Sequence, residues 1–241
     1  MKNLPVYEGS TIRKVTGPSL RPGGFLLTDR AMELLSPHAG LKGLDIGCGL
    51  GATINHVREK WNLDMEGVDQ SGTLLAQARQ VFDLDLIEAG ADRLPFGDES
   101  FDFVLMECSL SLMEDSGAAL REAARVLKPG AQIFISDVYA KNPQHLEALE
   151  EVNVKTCLRG LFDLETLRAD LEREGLEVVE LRDFSRLLKQ LMVDIVFTYG
   201  SMNSFWTLTG CGDVRGFKEK IKKCAPGYFQ IRARKGEGHV Q

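Results

Sequence analysis

The sequence predicts a doubly wound α/β fold built on a sheet of seven strands. Two observations support this prediction: strand-like apolar runs alternate with helical patterns through most of the chain, and a glycine-rich turn follows the first run. Such alternation is typical of a parallel sheet covered by helices on both faces. The strands are expected at residues 43–46, 65–69, 84–89, 101–106, 132–138, 176–181 and 228–234.

Apolar residues at helical spacing predict the crossover connections. One helix is expected behind Ser71, a good N-cap residue, and another is expected to be stopped by Pro129 and Gly130 before the fifth strand begins. The apolar residues that define them are Leu74, Leu75, Ala78, Val81 and Phe82 in the first helix, and Leu120, Ala123, Ala124 and Leu127 in the second.

The regular alternation of strand and helix patterns ends after the fifth strand. A polar amphipathic helix is expected at residues 143–154, a helix capped by Asp163 before Gly175, an apolar helical segment at 187–199 and a polar connection at 210–224. Residues 1–24 and 140–160 do not belong to the sheet rhythm. Because ligands of open α/β sheets bind beyond the carboxyl ends of the strands, these two segments are expected to form a lid on a single domain spanning residues 1–241.

Composition argues against several classes of partner. The formal net charge is −6, whereas nucleic-acid affinity comes largely from clustered Lys and Arg. The short basic cluster near the C-terminus is interrupted by Glu219 and is interpreted as a solvated helix face; it comprises Lys218, Lys220, Lys222 and Lys223. No run approaches the ~20 apolar residues of a membrane span or forms a signal peptide, so a cytoplasmic protein without membrane or nucleic-acid partners is expected.

Cysteine and histidine usage predicts neither disulfides nor a metal site. The chain has five cysteines without a C-x-x-C pair, which indicates reduced thiols. The four histidines, His38, His56, His145 and His239, are scattered without ligand spacing.

The first chemical signal is the turn Leu44-Asp45-Ile46-Gly47-Cys48-Gly49-Leu50-Gly51-Ala52. Glycines let the chain turn tightly and let N–H groups at a helix N-terminus reach a carboxylate or phosphate, so the turn is interpreted as an anion cradle. Asp69 ends the second strand about 20 residues later, where a carboxylate can accept both hydroxyls of a ribose. Dinucleotide-binding proteins share both features, so a nicotinamide-dependent oxidoreductase remains open at this point.

Four further segments discriminate between these classes. They are Gly90-Ala91-Asp92-Arg93-Leu94-Pro95-Phe96, Ser100-Phe101-Asp102-Phe103-Val104, Leu120-Arg121-Glu122 and Arg125-Val126-Leu127-Lys128-Pro129-Gly130. In this order they resemble class I S-adenosylmethionine-dependent methyltransferases, most closely the methyltransferase type 11 branch that contains the quinone-biosynthesis enzymes. The resemblance covers about residues 44–139. It implies a Rossmann-like sheet with an antiparallel last strand, and an enzyme that uses S-adenosylmethionine and releases S-adenosylhomocysteine.

The resemblance also implies roles for single residues. The glycine loop would hold the methionine part of the cofactor, Asp69 the ribose and Asp92 the adenine amine. Asp45 would orient the ammonium group or the loop, where dinucleotide enzymes usually carry an apolar residue. The full set of expected cofactor-binding residues is Asp45, Gly47, Cys48, Gly49, Gly51, Asp69, Gln70, Ala91, Asp92, Arg93 and Glu107. Each acid also has a plain structural interpretation, as a turn cap, a helix cap or a solvated loop residue, and Cys48 is interpreted as a small packing residue.

Candidate acceptor contacts lie after the fourth and fifth strands. Methyl transfer from a sulfonium is an in-line displacement, so the enzyme's main tasks are alignment and exclusion of water. The tentative catalytic residues are Glu107, Cys108, Asp137, Tyr139 and Cys157, with Ser109 beside them. Some could instead be structural, with Cys108 buried at a strand end, Glu107 at a solvated rim and Asp137 as a cap.

A weaker resemblance concerns Thr156-Cys157-Leu158-Arg159-Gly160-Leu161, which is similar to a segment of arsenite methyltransferases. In that family a cysteine here binds the metalloid, which implies Cys157, with Cys211 and Cys224, as ligands of a soft trivalent centre. The chain lacks that family's cysteine-bearing segment upstream of the glycine loop. Three ordinary cysteines are the simpler interpretation.

The sequence therefore predicts an S-adenosylmethionine-dependent methyltransferase for a small-molecule acceptor, acting as a monomer or homodimer. One alternative is a methyltransferase of a thiol-bound metalloid. Another, from a different class, is a cofactor-binding regulatory protein without turnover, because an obvious catalytic base is missing.

Overall fold

The computed structural model describes residues 6–149, 156–209, 211 and 213–237. Its sheet has seven strands in the order β3-β2-β1-β4-β5-β7-β6. They are β1 (Lys42–Ile46), β2 (Asp64–Asp69), β3 (Ile87–Glu88), β4 (Phe101–Glu107), β5 (Leu127–Ala140), β6 (Leu176–Asp183) and β7 (Pro226–Lys235). Strands β1 to β5 pair in parallel, and β7 runs antiparallel to both β5 and β6. The predicted fold class, with its antiparallel last strand, is confirmed.

Helices cover the sheet and its carboxyl edge. The described α-helices are α1 (Ser10–Thr16), α2 (Leu26–Leu35), α3 (Ala52–Trp61), α4 (Gly72–Phe82), α5 (Ser116–Val126), α6 (Leu164–Arg173), α7 (Ser185–Tyr199), α8 (Met202–Leu208) and α9 (Val214–Cys224). Short 3₁₀ turns occupy residues 17–19, 110–112, 143–149 and 157–160. Within the described part of the chain, no helix has the length and apolar character needed to cross a bilayer.

The alternation of side chains along the central strands builds two apolar layers. On one face Val104 and Ile133 pack with Leu171 of α6. On the other face Phe103 and Phe134 pack with helices α2 and α3. Both faces are therefore buried, as a parallel sheet requires.

A further apolar cluster lies beyond the carboxyl ends of the strands. It joins Ile12 of α1, Leu188 of α7, Trp206 of α8 and Phe217 of α9 to Val138 near the end of β5. These elements come from both ends of the chain. They form a cap over the edge where ligands of such sheets bind.

Local signals account for several helix starts. The Ser71 side chain accepts a hydrogen bond from Leu74 N at 3.2 Å, which confirms it as the N-cap of α4. The Asp163 side chain caps α6 in the same way. The expected apolar helix at 187–199 is α7.

Several expectations need correction. The third strand is shorter than expected, and only Ile87 and Glu88 pair with β2. It lies at the edge of the sheet, and the helix before it, α4, ends at Asp83 in a left-handed conformation. Helix α5 ends at Val126, so Pro129 and Gly130 do not stop it. They lie inside β5, which begins at Leu127 and tolerates them through a register shift against β4.

The predicted polar connection at 210–224 contains a helix, α9. The Asp213 side chain accepts a hydrogen bond from Gly216 N at 2.9 Å and so caps it. Phe217, Ile221 and Cys224 place one face of α9 in the apolar cluster that forms the cap. In the expected helix at 143–154, residues 143–149 form a 3₁₀ turn and residues 150–154 lie outside the described part.

Candidate active site

A large cavity lies at the carboxyl edge of the sheet, where the strand order reverses between β1 and β4. Its volume is about 1270 Å³. The residues after β1, β2, β3 and β4 line it on one side, and residues 7–8 and 18–21 of the N-terminal segment line it on the other. Of the predicted cofactor residues, Asp45, Gly47, Cys48, Asp69, Gln70, Ala91, Asp92 and Glu107 line the cavity. Gly49, Gly51 and Arg93 do not.

The glycines of the turn serve different purposes. Gly47 has φ +78° and faces Ser109 so closely that a Cβ would overlap the serine Cβ. Gly51 has φ +73° and packs against Leu84. Glycine is required at both positions because a side chain would be strained and would collide.

The turn is only partly the predicted anion cradle. The N–H groups of Gly47 and Cys48 both donate to Val68 O, at 2.8 and 3.0 Å, and Gly51 N donates to Cys48 O at 2.8 Å. These groups are therefore committed to the fold. The N–H groups of residues 52–54 precede the first intrahelical bond of α3 and have no backbone partner among the described residues, and Ala52 and Thr53 line the cavity.

Asp45 is a buried carboxyl group that faces the cavity. The residue is 3% exposed, and among the described residues no group donates a hydrogen bond to its carboxylate. Burial, followed by the negative charges of Glu107 and Asp69, raises its pKa to about 8, although Arg21 acts in the opposite direction. Because this carboxyl group reaches the cavity, a cationic ligand group bound there would offset the cost of its burial.

Asp69 stabilises the turn while still lining the cavity. Its Oδ2 accepts a hydrogen bond from Gly49 N at 2.8 Å and its Oδ1 one from Ser71 N at 2.8 Å. Burial raises its pKa, and the two backbone bonds oppose that shift. Each carboxylate oxygen retains a lone pair for a further donor.

Asp92 lies in the loop after β3. Its side chain is exposed at the rim of the cavity, together with the partly buried Ala91. The three acids Asp45, Asp69 and Asp92 thus line one cavity, each at or after the carboxyl end of a successive strand.

Glu107 belongs to a buried ionic network that sequence reasoning missed. Arg21 from the N-terminal segment pairs with it, with Nη2 to Oε2 at 2.8 Å, and both side chains are at most 5% exposed. The hydroxyl groups of Thr28 and Thr53 donate to the Glu107 carboxylate at 3.0–3.1 Å. Because Glu107 is saturated in this way, it acts as an anchor for the N-terminal segment and not as a rim residue.

The remaining tentative catalytic residues separate into two groups. Cys108 lines the cavity, and its thiol donates to Tyr228 Oη at 3.3 Å. Asp137 instead accepts bonds from Ser111 N at 2.9 Å and Ser111 Oγ at 2.6 Å, and Tyr139 donates to Asp183 at 2.9 Å. Neither Asp137 nor Tyr139 lines the cavity.

Burial raises the pKa of Asp137 to about 6, opposed by its hydrogen bonds to Ser111 and to backbone groups. Its carboxyl group holds the turn at residues 110–112 against β5. The sequence left open a structural role for Asp137 as a cap of the following segment; the structure shows a structural role, but toward the earlier turn after β4.

The three cysteines of the metalloid alternative do not converge. Cys157 N donates to Tyr7 Oη at 3.3 Å, whereas the Cys224 thiol donates to His145 O at 3.4 Å and Cys211 N donates to Trp206 O at 3.0 Å. No group of three or more His, Cys, Asp or Glu side chains suited to a metal is found among the residues that the structure describes. All five cysteines are free thiols.

The N-terminal segment lies beside the cavity and makes specific contacts with α4, α7 and the turn before α4. Glu8 accepts a hydrogen bond from Ser71 Oγ at 2.8 Å, beside the Asp69 turn. Arg13 donates to Gln77 of α4 at 2.7 Å, and Tyr199 of α7 donates to Thr11 O at 2.7 Å. Of the two expected lid segments, residues 1–5 and 150–155 lie outside the described part.

The strand order, and a cavity at the carboxyl ends of β1 and β4 where that order reverses, are typical of α/β proteins that bind nucleotides or nucleosides. Residues 44–135 match the family model described as a methyltransferase domain. The chain is 30% identical over 65% of its length to O-methyltransferase rstn1 of Aspergillus nomiae, of which the match covers 73%. The chain therefore belongs to the class I S-adenosylmethionine-dependent methyltransferase family, as its sequence motifs predicted.

The quinone-biosynthesis branch is also among the matches. The chain is 29% identical over 69% of its length to the ubiquinone/menaquinone biosynthesis C-methyltransferase UbiE of a Shewanella species, covering 70% of it. It spans only about six tenths of the length of several other curated relatives.

A solved structure supports the fold over almost the whole chain. Mycolic acid cyclopropane synthase CmaA1, complexed with SAH and CTAB, aligns with a TM-score of 0.74 over 95% of both chains at 14% sequence identity. At that identity the similarity concerns the fold alone.

Proposed function

We propose that this protein transfers the methyl group of S-adenosylmethionine to a small-molecule acceptor by direct in-line displacement. The observation that carries the proposal is the Asp45 carboxyl group, buried, without a hydrogen-bond donor among the described residues, and facing the cavity. Family membership and the two further acids in the same cavity support it.

The donor set of the cavity fits this cofactor. An amino-acid ammonium group supplies the positively charged partner that the Asp45 carboxyl group lacks among the described residues. A ribose supplies two hydroxyl donors, which match the free lone pairs of Asp69. The N–H groups of residues 52–54, at the start of α3, suit a carboxylate. The Asp92 carboxylate at the rim suits an amine.

When bound, the cofactor supplies an electrophilic methyl group on a cationic sulfur. The chain's own contribution is binding and exclusion of water. Arg21 and Glu107 hold the N-terminal segment over the cavity, and Glu8 reinforces this contact at Ser71. Cys108, whose thiol is kept protonated by burial, is the strand-end residue that faces the acceptor side.

Calorimetric titration with S-adenosylmethionine tests the cofactor part of the proposal. Asp69→Asn removes the charge that strengthens the ribose hydrogen bonds, so binding should weaken by about 1.5–3 kcal/mol, which is roughly 10- to 160-fold. Asp64→Asn, an exposed residue at the opposite end of β2, is the matched control and should bind as the wild type does. Equal affinity in Asp69→Asn would refute the ribose role.

Turnover separates the enzyme from a cofactor-binding regulator. Purified protein and S-adenosylmethionine are incubated with panels of small thiols, amines, phenols and carbon acids, and S-adenosylhomocysteine is measured by chromatography. Release that depends on one acceptor class supports the proposal. Tight cofactor binding with no release on any panel, or with cell extract, supports the regulator.

A further inference from the structure

A smaller chamber of about 60 Å³ adjoins the cofactor cavity. Tyr7, Leu20, Cys108 and Thr156 line both spaces, so the two share a wall at the end of β4. Helices α7 and α8 supply the far side of the chamber.

The chamber is apolar. Leu188, Ile195, Phe205 and Trp206 line it, and each is at most 7% exposed. Among the described residues, no Asp, Glu, Lys, Arg or His lines it. A charged group that entered it would lose hydration and gain no counterion.

The titratable groups that line the chamber are neutral at physiological pH. Burial raises the pKa of the Tyr7 hydroxyl and of the Cys108 thiol well above their ordinary values, and it raises the pKa of Cys157 to about 12. Asp137, whose charge acts on both thiols, is engaged by Ser111 and lines neither space. The chamber can therefore offer weak neutral hydrogen bonds but no charge.

We infer that this chamber receives the uncharged, apolar end of the methyl acceptor. The inference rests on the proposed function and specifies its substrate class: a small molecule that ends in a short alkyl chain or ring edge, with its reacting atom left in the larger cavity beside Cys108. The four shared lining residues argue for this occupant, because they put a group held in the chamber next to the larger cavity.

Trp206 provides a direct readout of occupancy. The chain has two tryptophans, so Trp61→Phe leaves Trp206 as the sole fluorophore. In this background, with saturating S-adenosylmethionine, three probes that share a hydroxyl end are titrated: 1-hexanol, 6-aminohexan-1-ol and 6-hydroxyhexanoate. 1-Hexanol should bind at least about tenfold more tightly than either charged probe. Equal affinity for a charged probe would overturn the inference.

Two variants on α7 locate the binding. Leu191 lines the chamber, so Leu191→Phe should weaken 1-hexanol binding at least about tenfold by filling it. Val193, two residues away and 45% exposed, is the control, and Val193→Phe should leave binding within about twofold. Unchanged binding in Leu191→Phe overturns the assignment. Should Leu191→Phe fail to fold, Ile195→Ala enlarges the chamber and should shift the preference from 1-hexanol to 1-octanol; an unchanged preference also overturns it.

The two claims fail separately. S-adenosylmethionine affinity is measured by calorimetry on the same variants and should stay constant. If the protein without chamber substitutions binds no S-adenosylmethionine but still binds 1-hexanol, the proposed function is contradicted. Normal cofactor binding without a Trp206 response to 1-hexanol contradicts the chamber.

Discussion

Asp45 combines burial, neighbouring negative charges and contact with the cavity in one residue. Its carboxyl group is buried, near Glu107 and Asp69, and has a pKa of about 8. At neutral pH the ligand-free group is therefore mostly protonated, and a cationic ligand must displace that proton. The proton and the ligand compete for the same oxygen atoms.

This competition predicts a pH-dependent affinity. Between pH 6 and about 7.5, S-adenosylmethionine binding should strengthen by up to about tenfold per pH unit as Asp45 loses its proton. Above about pH 8 it should weaken again, because an α-amino group with a pKa of about 7.7–8.0 then loses the charge that pairs with Asp45. Calorimetry in buffers of different ionisation enthalpy should detect the released proton below pH 8. Asp45→Asn should bind weakly and lose the increase below about pH 7.5; a wild-type affinity that is flat from pH 6 to about 7.5 would contradict the role.

The same residue should cost the ligand-free protein stability. The folded-state pKa of Asp45 is raised, so its contribution is most favourable below the unfolded pKa of about 4 and is lost as pH rises through about 8. Asp45→Asn should therefore raise the free energy of unfolding at pH 8 by about 1–3 kcal/mol, and by less at pH 5. Urea unfolding at both pH values measures the difference, and a destabilised variant at pH 8 would contradict it.

The Arg21–Glu107 pair predicts a different outcome. Arg21→Met leaves a buried carboxylate uncompensated beside Asp45 and should lower stability by about 3–5 kcal/mol. The double variant Arg21→Met/Glu107→Gln should recover much of this loss, because a glutamine oxygen can still accept from Thr28 and Thr53. Thermal unfolding of the single and double variants is the measurement; additive losses would contradict the coupling.

Sequence reasoning located the acids but not their surroundings. Asp45 and Asp69 were found because each stands at the end of a recognisable strand. Arg21 was missed because its partner lies 86 residues away and no local pattern marks either as paired. Long-range ion pairs of this kind depend on tertiary packing, which spacing does not encode.

At the scale of elements, the glycine turn depends on packing as well as on backbone conformation. Gly51→Ala should lower stability by about 2–4 kcal/mol, because it combines a positive φ with collision against Leu84. Gly40 has φ +91°, and a Cβ added there would meet no atom within 4 Å, so it is the matched control. Gly40→Ala should cost only about 1–2 kcal/mol. Equal losses in chemical denaturation would show that collision contributes nothing.

The cap over the site was only partly predictable. The segment at 1–24 is predicted as a cover because it falls outside the sheet rhythm, whereas the prediction of a polar connection at α9 is wrong. The signal for a helix was available: Val214, Phe217, Ile221 and Cys224 recur at helical spacing behind the N-cap Asp213. The dense lysines between them obscured that pattern.

The N-terminal segment should respond to the ligand. Because Glu8, Arg13 and Arg21 tether it over the cavity, S-adenosylmethionine should slow proteolysis within residues 6–24. Glu8→Gln weakens the tether at Ser71 and should reduce this protection. Cleavage rates that are identical with and without ligand would contradict a covering role.

At the scale of the whole molecule, strand order and site position follow from simple rules. Alternating apolar runs specify a covered sheet, and the reversal between β1 and β4 places the cavity at their carboxyl ends. The precise strand limits do not follow, as β5 shows: its first residues are stabilised by pairing of Leu127 with Phe101, which outweighs the local preference of Pro129-Gly130 for a turn.

The acids and the glycine turn are proposed to bind a sulfonium nucleoside and not a dinucleotide. Side-by-side calorimetric titration of the wild-type protein with S-adenosylmethionine and with NADH tests it most directly. We expect one S-adenosylmethionine bound per chain and no saturable heat with NADH. Saturable binding of NADH without binding of S-adenosylmethionine would contradict it.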